Sequence, residues 1–269
     1  MAELPATSAV DLELTGEWLT VWFNEPERRN PLSEARSQDL MAVCEAIADQ
    51  RDIRGVTFRG RGGVFCAGGD LKAFRSVFQG GGDAEATRAM SRSGGKLFDV
   101  IDHLPQVTVM AVEGAAVAGG LGLVCAGDVV IVEDSAKFSL TETMIGLSPA
   151  QIAPFVVRRL GLPLARRLML TGVSFDGNRA AEFGLADEAV SGSVGIDAAI
   201  DGVRAQVMRC APGAVADTKR LISELNGRSR EDEIELAAEV FAERIHSDEG
   251  REGVASFVEK RKPAWVPKS

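Results

Sequence analysis

Two histidines in 269 residues leave little material for chemistry built on imidazole. His103 and His246 sit in no metal-ligand pattern, which argues against both a metal centre and a histidine-based triad. Cysteine is equally sparse: Cys44, Cys66, Cys125 and Cys210 are widely spaced with no CxxC pair, so neither a zinc site nor a disulfide framework is indicated. Reduced and mostly buried thiols are expected. No apolar run approaches the roughly 18 residues that a membrane span requires. The opening MAELPATSAVDLE carries acids where a signal peptide would carry lysine or arginine, and a cytoplasmic location is the expectation. A formal net charge of −9 argues against nucleic acid as a general partner and requires any anionic ligand to find a local basic pocket. Chemistry must then rest on carboxylates, backbone or lysine.

What the chain does have is the composition of an ordinary soluble globular protein, 45% hydrophobic and 26% charged, long enough to bury a substantial core. Residues 10–24 alternate around a Thr-Gly-Glu turn and predict a β-hairpin. Ser33 caps a predicted helix to about Gln50, with Leu40, Met41, Cys44, Ile47 and Ala48 on one face. RGVTFRG, VTVMAV, DVVIVED and AKFSL are predicted strands. A helix is expected from near Leu71, and QGGGDAEA (79–86) reads as a mobile lid or a loose loop. PAQIAPFVVRRLG and PLARRLMLTG predict two helices, with proline near each start and glycine near each end. The chain reads as helical from about Ile196 onward, so the expectation is an α/β core over 1–195 and a C-terminal helical region over 196–269.

Two glycine-rich segments, each leading from a strand to a helix, carry the functional reading: GVFCAGGDLK (63–72) and GAAVAGGLGL (114–123). Glycine costs helix stability relative to alanine, so such a cluster needs a reason, and close approach of the backbone to a ligand is one. With FSLTETMIGLSP (138–149), the early PERRNPLS, GLADEAV and the terminal EGVASFVEKRKPAW, the chain resembles the enoyl-CoA hydratase/isomerase, or crotonase, superfamily over nearly its whole length. The resemblance implies a spiral of ββα turns followed by C-terminal helices, assembled as a trimer or a dimer of trimers. It implies no separate cofactor or metal, coenzyme A being part of the substrate. By position, the family's two oxyanion-hole amides fall on Gly69 and Gly119, and its contacts to the CoA moiety on Asp70, Leu71 and Lys72. Lys72 would be a phosphate partner or a surface lysine. Phe257 and Lys260 match positions that reach the CoA of a neighbouring subunit, against the plainer reading of an amphipathic helix with a core phenylalanine and a solvated lysine.

The typical hydratase of this family uses two glutamates. One matches Glu142, which outside the motif would read as a surface or capping residue; the other falls where this chain has Gly122. Three readings follow. A single glutamate shuttles a proton between carbons, as in Δ3-Δ2-enoyl-CoA isomerases; it hydrates alone, with water held by backbone groups; or the chain binds acyl-CoA without catalysis. The wording of GGLGLVCAGDVVI, FSLTET and PAQIAPFVVRRLG resembles the branch acting on glutaconyl-type CoA esters, methylglutaconyl-CoA and its isohexenyl analogue, and favours hydration. Glu113 is a weak substitute base, and Asp128 reads as a cap or an arginine partner. Cys66 and Cys125 read as packing residues. A dinucleotide-dependent oxidoreductase is disfavoured because GxGxxG is missing from the second segment.

Overall fold

The computed structural model describes residues 4–70 and 83–267. Its N-terminal hairpin pairs β1 (Val10–Thr15) with β2 (Trp18–Phe23) around the turn at Gly16, whose φ of 62° suits glycine. Four further strands run parallel to β2 in one six-stranded sheet: β3 (Gly55–Gly60), β4 (Val107–Val112), β6 (Val129–Glu133) and β9 (Glu188–Val190), in the order β1-β2-β3-β4-β6-β9. A second sheet of three short strands, β5 (Ala115–Val117), β7 (Lys137–Ser139) and β8 (Phe175–Asp176), lies in the order β5-β7-β8. Burial on both faces explains why β4 reads as a near-continuous apolar run; β3 is buried as well, its alternating Thr57 and Arg59 being satisfied by Trp18 Nε1 and by Glu113.

Helix α1 (Glu34–Ile47) starts where the sequence predicts: the Ser33 hydroxyl accepts from the Arg36 amide, and Leu40, Val43, Cys44 and Ile47 are buried. The helix expected from Leu71 lies outside the described residues. So does the first half of the 79–86 stretch, but Asp83 is not loose: its carboxylate caps α2 (Ala84–Asp102), a helix whose register the sequence did not suggest. Helix α3 (Gly119–Cys125) is short and buried, as the apolar GGLGLVC requires. The two helices expected from PAQ and PLARR run end to end as α4 (Ala153–Thr171): Gly161, at φ 73° and ψ 157°, is non-helical and separates them, with Pro163 in the first turn of the second.

After α5 (Gly177–Glu182), helix α6 (Gly192–Val207) packs on the main sheet, placing Ile196 and Val207 in a cluster with Trp18, Val109, Ala111 and Ile131. Helices α7 (Pro212–Glu224), α8 (Arg230–Ile245) and α9 (Asp248–Val258) complete the chain. Among the described residues no helix is long and apolar enough to cross a membrane.

Candidate active site

The three motif segments meet because their backbones pair in parallel register. Cys66 forms a parallel bridge with Ala116, and Ala116 pairs in turn with Phe138 across β5 and β7. Strands that pair in parallel leave the sheet at the same end. Gly69 therefore follows its pairing point by three residues, Gly119 by three and Glu142 by four, and all three are delivered to one rim. A fourth segment closes the rim from the side, where Leu32 bridges Gly69 and its amide donates to the Gly68 carbonyl at 2.8 Å.

The glycines divide into two kinds once the geometry is in view. A Cβ on Gly114 would lie on the Gly63 carbonyl oxygen, and one on Gly120 would lie 2.6 Å from the Cys66 carbonyl oxygen. These two serve the contact between the two glycine-rich segments, not contact with a ligand. Gly119 is different. It opens α3, so its N–H belongs to the first turn and has no intrahelical acceptor. The preceding Ala118 holds φ 50° and ψ −121°, a left-handed conformation strained for an alanine, secured by its amide donating to the Ser139 carbonyl at 2.9 Å. Strain of this kind persists where the surroundings over-determine it and clusters at functional sites. Gly69 presents its N–H in the same sense: the bridge to Leu32 uses the groups flanking it, so its own amide is directed away from Leu32.

Glu142 is the first residue of a single 3-10 turn over Glu142–Ile145, fixed where the Leu147 amide donates to the Glu142 carbonyl at 2.9 Å. Its side chain is half-buried, and its Oε2 is buried with no hydrogen-bond partner among the described residues. Desolvation raises its pKa above the ordinary glutamate value of 4.5, and the opposing hydrogen bond from its own amide does not cancel it. A carboxyl with a raised pKa is suited both to take and to give a proton. If its carboxylate is the base, kcat/KM falls on acidification through an apparent pKa above 4.5, and a pH–rate profile in Glu142→Asp keeps an acid limb that Glu142→Gln loses.

The model of the enoyl-CoA hydratase/isomerase family matches residues 16–268. The chain belongs to that family. Among similar family members, the human mitochondrial enoyl-CoA hydratase domain-containing protein 2 is 33% identical, with 92% of this chain and 85% of that one covered. The solved structure of Pseudomonas aeruginosa AtuE is 40% identical with a TM-score of 0.93, covering 97% of this chain and all of that one. An enoyl-CoA hydratase/isomerase from Marinobacter aquaeolei is 34% identical with a TM-score of 0.91, covering 96% and 99% of the two chains.

In this enoyl-CoA hydratase/isomerase family member, Gly122 is a packing position. A Cβ there would come within 2.8 Å of Ile152 Cβ and 3.2 Å of the Phe98 ring, and closer still to the Ile152 methyl. Ile152 is 3% exposed, and Phe98 packs on Phe155 with ring centroids 5.7 Å apart. The volume beside residue 122 is filled by α2 and the start of α4. No local pattern signals this, because Phe98 and Ile152 lie far from Gly122 along the chain.

The remaining candidates fall into place individually. Glu113 is buried in a bidentate pair with Arg59, at 2.6 and 3.1 Å, and accepts from the Ser193 hydroxyl at 2.6 Å. These partners hold its pKa below the ordinary value despite burial, which unsuits it as a base. Glu113→Gln is expected to lower stability by about 3 kcal/mol in denaturant unfolding, while kcat of the folded fraction holds. Asp128 is structural, but its ionic partner is Lys219 at 2.6 Å and not an arginine; it also accepts from the Thr108 amide and hydroxyl. Burial pushes the thiols of Cys66 and Cys125 up to about 11 and about 12, so both are inert protonated side chains at neutral pH. Asp70 pairs with Arg28, and Leu71 and Lys72 lie outside the described residues. Phe257 is not a core residue of this chain: it is 85% exposed on α9, next to exposed Val258, with Lys260 just beyond at φ 56°.

Proposed function

We propose that this protein adds water across the 2,3 double bond of an enoyl-CoA thioester, with Glu142 as the single acid–base residue and the Gly69 and Gly119 amides as the oxyanion hole. The observation that carries the reading is the parallel register that brings two outward-facing amides and a half-buried carboxylate, whose Oε2 has no hydrogen-bond partner among the described residues, to one rim. The Glu142 carboxylate takes a proton from water, the oxygen bonds to C3, and the π electrons move through C2 onto the thioester oxygen. Two preorganised N–H groups stabilise that charge; losing one such donor typically costs about 3 kcal/mol. The protonated Glu142 then returns its proton to C2 as the carbonyl re-forms. The resemblance in motif wording supports a branched glutaconyl-type ester as substrate.

A second reading has one observation in its favour. Ile152 and Phe98 fill the volume beside residue 122, so no carboxylate from that position can help to hold water. The same glutamate could then move a proton between C2 and C4 of a 3-enoyl thioester, an isomerisation. Incubation with 2-enoyl, 3-enoyl and 3-methylglutaconyl CoA esters separates the two. Loss of the conjugated thioester absorbance with solvent-oxygen incorporation is the expected hydratase result, and gain of absorbance from the 3-enoyl ester alone would favour isomerisation.

The proposed assembly is a trimer or dimer of trimers, with Phe257 and Lys260 reaching a neighbour's CoA. An apolar surface on α8 and α9, comprising Ile234, Phe241, Val254, Phe257 and Val258, supports this. Phe257→Asp is expected to raise KM for the CoA ester or to shift the sedimentation of the protein toward smaller species. A variant indistinguishable from the parent in both measurements would remove Phe257 from the proposal.

A further inference from the structure

Arg36 is the largest fully buried side chain among the described residues, at 0% exposure, and the sequence marks it only as a helix position. Its Nη2 donates to Glu25 Oε2 at 3.2 Å, and its guanidinium lies 5.0 Å from the centroid of the Phe23 ring. Nε and Nη1 are buried with no hydrogen-bond partner among the described residues. A guanidinium keeps its charge even where burial lowers its pKa, as it does here. A buried cation served by one carboxylate is a costly arrangement, and its position suggests what it is for.

Arg36 also interacts electrostatically with the Cys66 thiol. Cys66 is the residue on which the two glycine-rich segments meet: it bridges Ala116, and its Sγ would stand 3.1 Å from a Cβ on Gly120. The same thiol points back along its own loop to the Gly68 carbonyl, 3.9 Å away. That carbonyl also accepts from the Leu32 amide at 2.8 Å. Gly68 C=O and Gly69 N–H belong to one trans peptide, so they point in opposite directions and share one dipole. Donors gathered on the carbonyl withdraw electrons from the peptide and strengthen its N–H as a donor. Leu32 precedes the Ser33 cap of α1 by one residue and Arg36 lies in its first turn, so one helix start carries both supports.

We propose that Arg36 is a positioning residue for the first oxyanion donor, acting through Cys66 to orient and polarise the Gly68–Gly69 peptide. The proposal rests on reading Gly69 as an oxyanion amide. The protonated state of the thiol fits it, since only S–H can donate to the Gly68 carbonyl.

The test uses the full-length protein and cinnamoyl-CoA, a conjugated thioester whose absorbance moves to longer wavelength as its carbonyl oxygen is polarised. The parent protein is expected to red-shift the bound probe. In Arg36→Met the shift should shrink and kcat on 2-enoyl esters should fall roughly tenfold, less than the 10²–10³ for losing a whole donor. Affinity for free CoA should stay within about twofold, because no CoA contact is assigned to Arg36. Arg36→Lys should recover part of the shift, and Cys66→Ala, a small change that keeps the cation, should reproduce the loss. An undiminished shift in Cys66→Ala and in folded Arg36→Met overturns the proposal while leaving Gly69 in place. No red shift in the parent would instead sink the oxyanion reading, and the proposal with it.

Discussion

Glu142→Gln is expected to lower kcat on the preferred enoyl-CoA ester by about 100-fold or more while leaving KM within a few-fold, because the amide keeps the shape of the carboxylate and cannot exchange a proton with the substrate. The same substitution should make the protein more stable. Burial leaves the folded carboxyl with a raised pKa, so between 4.5 and that raised value the native state holds a proton the unfolded chain has released. Stability contributed by the protonated form is therefore lost as pH rises through the window, and above it the native state carries a charge whose Oε2 is buried with no hydrogen-bond partner among the described residues. Gln removes that charge. Thermal unfolding at neutral pH should show Glu142→Gln melting above the parent, with the difference shrinking below pH 4.5. Gain of stability with loss of turnover distinguishes a catalytic group from a structural one, whose removal would lower both. Undiminished turnover in Glu142→Gln would dismiss the single-glutamate mechanism, and a protein that binds CoA esters with no turnover in the parent would favour the non-catalytic reading.

Gly122→Glu should fail for a steric reason before any question of chemistry arises. Its Cβ alone would stand 2.8 Å from Ile152 Cβ, and its carboxylate would be driven among the apolar side chains of Ile152 and Phe98, the latter packed on Phe155. Overpacking typically costs 1–3 kcal/mol and an unpaired buried charge adds several more, so a loss of more than about 4 kcal/mol is expected in denaturant unfolding. Gly122→Ala carries the steric part alone and should cost about 1–3 kcal/mol. Pairing either change with Ile152→Ala should recover part of the loss, since the clash is with that side chain, and the coupling between the two sites is measurable as a double-mutant cycle. No gain in activity on crotonyl-CoA is expected from Gly122→Glu. A stable, faster Gly122→Glu would show that the space beside residue 122 opens easily and that the acid was simply lost.

Much of the local structure was legible without coordinates. The hairpin around Gly16, the Ser33 cap, β4 and the buried helix over Gly119–Cys125 all follow from side-chain period and capping chemistry, which act over a few residues. The misreadings have local causes too. The glycines before Asp83 masked the start of α2, whereas the break in α4 at Gly161, with Pro163 just after it, follows the two-helix reading. Phe257 read equally well as core or as contact residue, because an amphipathic period says which face is apolar but not what covers it.

By itself the sequence determined the elements, the family and the three segments that matter, since these depend on residue types at short spacings. Tertiary structure decided what each residue in those segments is for. Gly114, Gly119, Gly120 and Gly122 are chemically identical and lie within nine residues of one another, yet one faces the Gly63 carbonyl, one opens a helix with no acceptor for its amide among the described residues, one clears Cys66 and one clears Ile152. Arg36 looked like an ordinary helix residue until folding closed Phe23, Glu25 and Cys66 around it. Such roles are set by contacts between residues distant in the chain, and only the folded register brings those residues together.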